Sequence, residues 1–386
     1  MKITVIEIDY HAEVLRDLCL LLEEMGVEVE LFVKEKILRQ TGLNVGEHPC
    51  IHVHLINSRR EVLEVFQKNR PLINRTHLVI FNTLASFYKL FSNLEITPPI
   101  LLRIHNANTY LNPKVPLRLG RSLDEVWYSI EHIFWKSIIQ LDWYYRRKFL
   151  RKVDRFVFPS DSMIQFVLNQ KLVQESKLLS TPIPLTFSKS EFHREKSLDK
   201  LVITIPGTVE RKRRDYDSVL NGLRQLTKNE RSRIELVLLG KLKGRYAAEL
   251  VRKLNELTGG LIITCYEQFV SQEIYEGVMS RTDVLLLPIR TETRYQIYQE
   301  TYGLTKISGG EGEMIKYSLP GIIPEEYKIS QYLGPYSLSY SNADSLKEIL
   351  SGLLSDKSTH LPINPQASDF QTTAKGIKEV LMSVIS

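Results

Sequence analysis

The stretch Glu300-Thr-Tyr-Gly-Leu-Thr-Lys-Ile-Ser-Gly-Gly-Glu-Gly-Glu313 leads into an amphipathic run that ends at Pro320, and the apolar segment Gly321 to Ile323 follows at once. Glycines and a proline bracket a run with helical spacing, and a segment of strand length comes after it. The order predicts loop, helix and strand, which is the repeating unit of a parallel α/β sheet.

The beginning of that helix has the features of an anion site. Ser308 followed three residues later by Glu311 has the spacing of a capping box, so we expect the helix to begin at Ser308, with Gly309 and Gly310 in its first turn. Glycines leave backbone N–H groups uncovered at the positive end of a helix, and Lys306 adds a compact charge. We expect this segment to hold a diphosphate, although a capped helix with two incidental glycines has the same pattern.

The alternation of strand and helix extends along the chain on both sides of this stretch. It predicts two Rossmann-like parallel sheets. The expected strands are 2–8, 27–33, 51–56, 78–81, 100–104 and 156–158 in the first half, and 201–205, 234–239, 261–264, 284–287 and 321–323 in the second. A polar connection separates the halves. We expect an N-terminal domain over 1–186, a C-terminal domain over 200–345, and a helical segment over 346–386 that packs back toward the first domain.

Length and composition agree with two globular domains. The chain has 386 residues, which exceeds the ~250 to 300 residues at which single cores stop growing. Its three cysteines lie far apart, so we expect no disulfide framework and a cytoplasmic location. No apolar run is long enough for a membrane span. The net charge of +6 suits nucleotide phosphates, anionic lipid heads or nucleic acid equally well.

A basic loop follows the first expected strand of the second half. It reads Pro206-Gly-Thr-Val-Glu-Arg-Lys-Arg-Arg-Asp-Tyr216 and therefore places Gly207 and Thr208 ahead of Arg213 and Arg214. Arginine binds phosphate through two parallel hydrogen bonds, so we expect these two guanidinium groups to clamp a diphosphate. A run of this kind is otherwise typical of a solvated loop or a general polyanion patch.

These motifs together resemble the signature of retaining GT-B glycosyltransferases, in which Glu-Gly-Phe-Gly-Leu leads to Glu-Ala-Met-Ala-x-Gly-x-Pro. Glu300 to Leu304 matches the first half, and Glu313 stands seven residues before Pro320, as the second family glutamate does. The resemblance implies that Glu300 lies near the donor sugar and that Glu313 binds the ribose. The chain departs from the pattern, because twelve residues instead of seven separate the two glutamates and Lys306 to Gly310 is inserted.

The resemblance extends the expected donor site and adds an acceptor site. It implies donor contacts from the loop residues Gly303, Leu304 and Thr305, and backbone contacts to the nucleotide base from Phe269 and Val270. In the N-terminal half, His105 and Asn106 end an expected strand, and His11 and Glu13 follow the first one, where open α/β sheets bind ligands. We expect an acceptor cleft there, with His105 as a catalytic base or sugar contact. A strand-end histidine is also a common structural group.

Two further patterns have competing interpretations. His48, Cys50, His52 and His54 alternate as on one face of a strand, but neighbours there are about 7 Å apart, so we expect no metal site. The run from Trp143 to Lys152 interleaves aromatic and basic residues. It is typical either of a packed helix with solvated charges or of a peripheral contact with an anionic membrane. Nucleic acid is a less favoured partner.

The resemblance implies an α/β GT-B fold, in which two Rossmann-like domains face each other across a cleft and the C-terminal helix crosses back to the N-terminal domain. It implies a bacterial hexosyltransferase-like enzyme of polysaccharide or glycoconjugate biosynthesis, acting by metal-independent retaining transfer, without a cofactor. The donor would be a nucleotide diphosphate sugar and the acceptor a glycan, a lipid-linked molecule or a small molecule. His105, Glu300 and Arg213 are its expected catalytic residues. The alternatives are a sugar-nucleotide epimerase and a non-catalytic GT-B-like protein that binds a lipid surface or polyanion.

Overall fold

The first strand of the chain, β1 (Lys2–Glu7), is buried along almost its whole length. A strand that is apolar on both faces belongs in the middle of a sheet covered by helices on both sides. The computed structural model, which describes residues 1–112, 141–179, 200–257, 259–295, 298–355 and 370–385, places it there. The other strands of this sheet are β2 (Glu28–Lys34), β3 (Ile51–Ile56), β4 (Leu78–Thr83), β5 (Ile100–Arg103) and β6 (Arg155–Val157).

The strand order of this first sheet is β3-β2-β1-β4-β5-β6, and every described pair is parallel. This is the doubly wound order of the Rossmann fold. The chain runs outward in one direction from β1 and then returns to lie on the other side of it at β4. Ligands in such sheets bind at the carboxyl ends of the two strands that flank this reversal.

A second sheet repeats the arrangement. Its strands are β7 (Leu201–Pro206), β8 (Ile234–Lys241), β9 (Ile262–Tyr266), β10 (Val284–Leu286), β13 (Gly321–Pro324) and β14 (Ser337–Tyr340), in the order β14-β13-β10-β7-β8-β9. Alternate residues of β7 enter two different hydrophobic clusters, Ile203 in one and Val202 in the other. Helices therefore cover both faces of this sheet, and among the described residues the two parallel six-stranded sheets confirm the expected α/β class.

Helices connect the strands. In the first half they are α1 (Ala12–Glu24), α2 (Glu35–Thr41), α3 (Val62–Lys68), α4 (Arg70–Ile73), α5 (Tyr88–Asn93), α6 (Ala107–Leu111), α7 (Asp142–Lys152) and α8 (Asp161–Asn169). In the second half they are α9 (Tyr216–Gln225), α10 (Lys228–Ser232), α11 (Gly244–Asn255), α12 (Gln272–Arg281), α13 (Gly309–Lys316), α14 (Ala343–Ser355) and α15 (Phe370–Ile385). A short two-stranded sheet of β11 (Glu292–Tyr295) and β12 (Tyr298–Thr301) was not predicted from the sequence.

The chain divides into two compact units, and each unit is built from segments that are not continuous in sequence. Unit 1 comprises Met1–Thr186, Arg294–Glu300 and Gln371–Ser386, and unit 2 comprises Phe187–Thr293 and Thr301–Phe370. The last helix, α15, thus groups with unit 1. The expected boundary between 345 and 346 falls inside α14, which packs on α9 of unit 2. The expected polar connection lies mostly outside the described residues.

Candidate functional site

The reversal point of the unit 2 sheet lies between β7 and β10. The loop that follows β7 begins with Gly207, whose φ of 91° is left-handed. A Cβ on Gly207 would lie 2.6 Å from Arg214 Nη2, and a Cβ on Gly240 would lie 2.4 Å from the Gly207 carbonyl. Both positions therefore require glycine, because the loop packs between β8 and a guanidinium group.

The two predicted phosphate-binding arginines have different environments. Arg214 donates a hydrogen bond to the Pro206 carbonyl oxygen and is held against the loop. Arg213 keeps 61% of its side chain exposed and lies 3.4 Å from Glu210, which also pairs with Lys243. Arg214 thus fixes the shape of the loop, whereas the Arg213 side chain is largely exposed, and its contact with a diphosphate stays a prediction. Thr208, next to Gly207, is exposed.

Arg290 is a third cation of this region, and the sequence motifs did not identify it. Its backbone N–H donates to the Arg213 carbonyl at 2.9 Å. Its guanidinium group donates to the Arg214 carbonyl at 3.2 Å and pairs with Asp215 at 3.1 Å. The signal that identifies it is topological, since it follows β10 at the reversal point, and that order is not visible in one sequence.

The charges of the basic loop act on the loop from Tyr302 to Lys306. Burial raises the pKa of Tyr302, while the charges of Arg213 and Arg214 act to lower it. Lys306 Nζ lies 5.4 Å from the centre of the Tyr302 ring. Tyr302 is therefore in contact with Lys306 and is influenced by the charge of Arg213.

The turn that precedes α13 is tightly packed. Gly303 has a φ of 81°, and a Cβ there would lie 2.5 Å from the Lys328 backbone nitrogen. Thr305 is buried, and its hydroxyl accepts a hydrogen bond from the Thr301 N–H at 2.8 Å. Leu304 is half-buried between them. The donor contacts predicted for these residues stay a prediction, and the contacts that the structure shows fix the path of the turn.

The helix α13 begins where the sequence predicts, but its capping differs. Ser308 is the N-cap, and its hydroxyl accepts from the Gly310 N–H at 3.1 Å. The Ser308 N–H donates to the Tyr327 hydroxyl at 3.0 Å, and the buried Glu311 carboxylate accepts from Tyr327 and Ser330. The expected reciprocal capping box is wrong, because Tyr327 receives the N–H that Glu311 was expected to bind.

The two glycines of this first turn serve different purposes. Gly310 is buried, and a Cβ there would lie 2.7 Å from the Leu287 side chain at the end of β10. Gly309 is exposed, and nothing lies within 4 Å of the place a Cβ would take. The Gly310 N–H is already donated to Ser308, so Gly309 is the open position of the expected cradle. Glu313 lies half-buried in the next turn of α13.

The expected base-binding pair follows β9. Phe269 is 87% exposed, whereas Val270 is buried in the core against α12. Ser271 caps α12 by accepting from the Ile274 N–H at 3.4 Å. Val270 thus anchors the loop and Phe269 presents a free aromatic face, and their contact with a base stays a prediction.

Glu300 lies in unit 1 and is completely buried. Its carboxylate accepts from the Thr109 N–H at 2.7 Å, from the Thr109 hydroxyl at 2.6 Å and from the Asn108 N–H at 3.4 Å. These groups belong to the first turn of α6, where a carboxylate stabilises the unpaired N–H groups. The observed contacts of Glu300 are therefore those of a helix cap, and its predicted contact with the donor stays a prediction.

A buried polar network lies at the reversal point of the unit 1 sheet, at the carboxyl ends of β1, β4 and β5. Glu7 accepts from Asn82 Nδ2 at 2.8 Å, and Asn82 Oδ1 accepts from Arg103 at 2.9 Å. Burial raises the pKa of Glu7 to about 8, although the groups that donate to it act in the opposite direction. Burial also lowers the pKa of Arg103 to about 10. The predicted acceptor histidine, His105, is hydrogen-bonded to this network through Asn82.

His105 continues the network. Its Nε2 lies 2.8 Å from the Asn82 carbonyl oxygen, and a carbonyl can only accept, so Nε2 carries a proton. Nδ1 is then the nitrogen that a general base would use. The ring stacks on His11, with centres 4.1 Å apart and planes 8° apart. The structure therefore brings together two of the predicted acceptor residues. His11 has a left-handed φ of 63°, which is uncommon for a side chain with a Cβ.

Asn106 and Glu13 complete the predicted acceptor set. Asn106 is 2% exposed at the N-terminus of α6, and its Oδ1 is buried with no hydrogen-bond partner among the described residues. A buried acceptor of this kind is costly unless it receives a hydrogen bond. Glu13 lies in α1, and its side chain is outside the described part of the structure.

Two of the alternating residues contact carboxylates, and only His52 and His54 of the four lie in β3, because the strand begins at Ile51. His48 lies 2.6 Å from Glu23, and His54 lies 2.5 Å from Glu30 and stacks on Phe32. Within the described ranges, no group of three or more histidine, cysteine or acidic residues is arranged to hold a metal ion. The helices in those ranges also include none with the length and apolar character to cross a bilayer.

Comparison with known proteins gives a fold. No protein-family model matches the chain, and no curated protein matches its sequence. Solved structures do match it. HepE of Anabaena, in complex with UDP and glucose, has a TM-score of 0.62 and 14% identity over 99% of this chain and 100% of that chain. A glycosyltransferase of Rickettsia africae has a TM-score of 0.61 and 11% identity over 100% of this chain and 98% of that chain.

A UDP-GlcNAc 2-epimerase of Neisseria meningitidis, bound to UDP-GlcNAc, has a TM-score of 0.56 and 12% identity over 99% of this chain and 100% of that chain. Identities this low show a shared fold but not a shared activity, so the activity must be argued from the chain's own residues. The likeness covers both compact units, since it extends over whole chains. The chain has the GT-B fold, with two parallel six-stranded sheets.

Proposed function

We propose that this protein is a glycosyltransferase that moves a sugar from a nucleotide diphosphate sugar to an acceptor hydroxyl. The observation that carries the proposal lies at the reversal point of unit 2, where the charge of Arg213 acts on the Tyr302 phenol, Lys306 lies over the Tyr302 ring, and the exposed Gly309 opens the first turn of α13. A helix N-terminus with nearby cations favours a diphosphate. The same groups stabilise that diphosphate as it departs.

The finer features of the reaction follow from the same groups. Positive side chains that neutralise the leaving diphosphate replace a metal ion, so transfer is metal-independent. Retention of configuration rests on the resemblance of Glu300 to Leu304 and of Glu313 to the retaining signature. In unit 1, His105 and Asn106 provide the acceptor site, with Nδ1 of His105 oriented by the bond from Nε2 to Asn82. The acceptor is a glycan, a lipid-linked molecule or a small molecule.

A panel of nucleotide sugars, beginning with UDP-glucose, tests this proposal. The protein is incubated with each donor in EDTA, and release of nucleoside diphosphate and the shift in melting temperature are measured. We expect one donor to be bound and slowly hydrolysed, because the proposed site neutralises the diphosphate with Arg213 and Lys306 instead of a metal. If no donor gives either response, the transferase proposal is wrong.

Three variants test the assignment of the donor residues. Arg213→Ala and Glu313→Ala should weaken donor binding about 10- to 100-fold, since a hydrogen bond to a charged group contributes roughly 1.5 to 3 kcal/mol. Glu292→Ala is the matched control, because Glu292 is exposed and its carboxylate accepts from the Thr301 hydroxyl at 3.0 Å. An equal loss at Glu292 would contradict the assignment of Glu313.

The epimerase alternative has a different product. Its support is the likeness to the UDP-GlcNAc 2-epimerase of Neisseria meningitidis, at a TM-score of 0.56. An epimerase converts its nucleotide sugar without an acceptor and keeps the diphosphate attached. Proton NMR of the donor after incubation separates the two, since epimerisation changes the sugar and leaves no free nucleoside diphosphate.

A further inference from the structure

A groove of about 800 Å³ runs along one side of unit 1, apart from the residues assigned above. It is lined by α3, α4, α5 and the loops that precede α3 and α5. Its volume is that of a small-molecule site, which is typically about 300 to 1,000 Å³.

The lining of the groove is strongly basic. Four cations line it, and Glu95 is the one carboxylate among its described residues. Glu95 pairs with Arg70 at 3.2 Å. The other three cations are Arg59, Lys68 and Lys89, and all three are exposed. A concave wall that carries this charge favours an anion, and a phosphate is the anion that both lysine and arginine bind well.

The groove also has an apolar wall. Leu63 is 51% exposed and is one of the residues that line the groove. Phe87 also lines the groove, and Arg59 and Lys34 lie 5.2 Å and 5.8 Å from its ring centre. A lining that combines cations with apolar side chains matches a molecule with an anionic head and an alkyl chain. A fully polar anion would leave the apolar part in contact with water.

The wall of the groove continues into helix α7. Lys148 Nζ donates to Asn93 Oδ1 at 2.7 Å, and Lys152 Nζ donates to the Leu94 carbonyl at 3.0 Å. Asn93 and Leu94 both line the groove. Lys89 Nζ also lies 5.8 Å from the centre of the Tyr145 ring of α7. The groove and α7 therefore form one continuous surface of unit 1.

The outer side of α7 presents aromatic and basic side chains to solvent. Trp143 is 53% exposed and Tyr144 is 49% exposed, and Arg147 and Arg151 are exposed one and two turns further along. Phe149, on the opposite side, is fully buried. Exposed aromatic rings beside arginines are typical of a helix that lies on an anionic bilayer.

We propose that the groove binds the phosphate head and the first methylenes of a phosphate-bearing lipid, presented by an anionic bilayer on which α7 lies. Lys68 and Lys89 hold the phosphate, and Leu63 and Phe87 contact the chain. This binding needs neither donor nor transfer chemistry, so it stands or falls separately from the proposed transferase activity.

Vesicle binding and a soluble lipid analogue test the proposal together. The full chain, without donor, is sedimented with phosphatidylcholine vesicles that do or do not contain phosphatidic acid, and its affinity for monomeric dodecyl phosphate is measured by calorimetry. We expect binding to the acidic vesicles and to dodecyl phosphate. Lys68→Ala/Lys89→Ala should weaken vesicle binding about 30-fold, as expected for two basic residues at an anionic surface.

Further variants separate the groove from general electrostatics. Leu63→Asp, at an exposed position, should weaken dodecyl phosphate binding with an unchanged circular dichroism spectrum. Arg147→Ala/Arg151→Ala should weaken vesicle binding but leave dodecyl phosphate binding as it is. The control Arg224→Ala/Lys228→Ala removes two exposed cations from unit 2 and should change neither.

Three results would overturn the proposal. The first is failure to bind acidic vesicles and dodecyl phosphate. The second is an equal loss in the Arg224→Ala/Lys228→Ala control, which would show unspecific attraction. The third is displacement of dodecyl phosphate by an equal concentration of inorganic phosphate, which would show a site for free phosphate with no use for the chain.

Discussion

Glu7 carries a carboxyl group into the interior of unit 1, at the end of β1. It accepts hydrogen bonds from the backbone N–H groups of Asp9 and Tyr10 and from Asn82, and Arg103 is bound to the same asparagine. Truncating one member of a buried network of this kind leaves the others without partners. The position of His105 depends on that network, because its Nε2 donates to the Asn82 carbonyl.

The raised pKa of Glu7 makes the stability of the protein depend on pH. Burial raises this pKa from 4.5 to about 8. Between these values the folded state holds a proton that the unfolded state has lost, so the stabilising contribution is complete below pH 4.5 and is lost as the pH rises to about 8. The unfolding free energy of the native protein, relative to Glu7→Gln, should fall by at most about 1.4 kcal/mol per pH unit in this window.

Denaturant unfolding of the native protein and of Glu7→Gln at several pH values measures this difference. Glu24→Gln, which removes an exposed carboxyl from α1, is the matched control. A difference between native protein and Glu7→Gln that stays constant from pH 5 to pH 8 would contradict the assignment of about 8.

At the scale of the element, α13 shows what a sequence can predict. Its start at Ser308 is a local feature, since one serine and two glycines determine it. The partners of Glu311 are not local: Tyr327 and Ser330 lie 16 and 19 residues away and reach it only after the chain has folded. Glu300 is a stronger case, because its partner Thr109 lies 191 residues away. Periodicity predicts elements, whereas contacts between distant elements require the fold.

The two glycines of α13 make a matched pair of variants. Gly309→Ala adds a methyl group in open space, so the unfolding free energy should stay the same or rise by up to about 1 kcal/mol. The methyl covers the open position of the expected cradle, so donor affinity should fall about 10-fold. Gly310→Ala forces a contact with Leu287, and both stability, by roughly 1 to 3 kcal/mol, and donor affinity should fall.

Thermal unfolding measures the stability of both variants, and calorimetry measures their affinity for the donor. The informative variant is Gly309→Ala, since it separates binding from folding. Unchanged donor affinity in Gly309→Ala would show that the diphosphate is bound elsewhere than at the start of α13.

At the scale of the molecule, the sequence predicts both sheets but not every return of the chain. The alternation of strands and helices is sufficient for two parallel sheets, because each apolar strand requires helices on both faces. The segment Arg294–Glu300 leaves unit 2 and joins unit 1, where Glu300 caps α6. No local sequence pattern predicts that this segment belongs to unit 1. The packing of the C-terminal helical segment back toward the N-terminal domain is implied by the family resemblance and not by the residues of α15.

The assignment of α15 to unit 1 has a measurable consequence for stability. Leu381 is 2% exposed and its neighbour Met382 is 48% exposed, so the helix buries one face only. Leu381→Ala should lower the stability of unit 1 by roughly 2 to 5 kcal/mol, the usual cost of a cavity at a buried leucine. Met382→Ala, one residue along, should cost far less, since a side chain that is already half in water loses little on truncation.

Hydrogen exchange locates the effect. In Leu381→Ala, the amides of β1 and β4 in unit 1 should exchange faster, because local destabilisation raises the population of open states in the same cooperative unit. The amides of β7 and β8 in unit 2 should keep their protection. If β7 and β8 lose protection to the same degree as β1 and β4, the two units unfold together, and the helix stabilises the whole molecule instead of unit 1 alone.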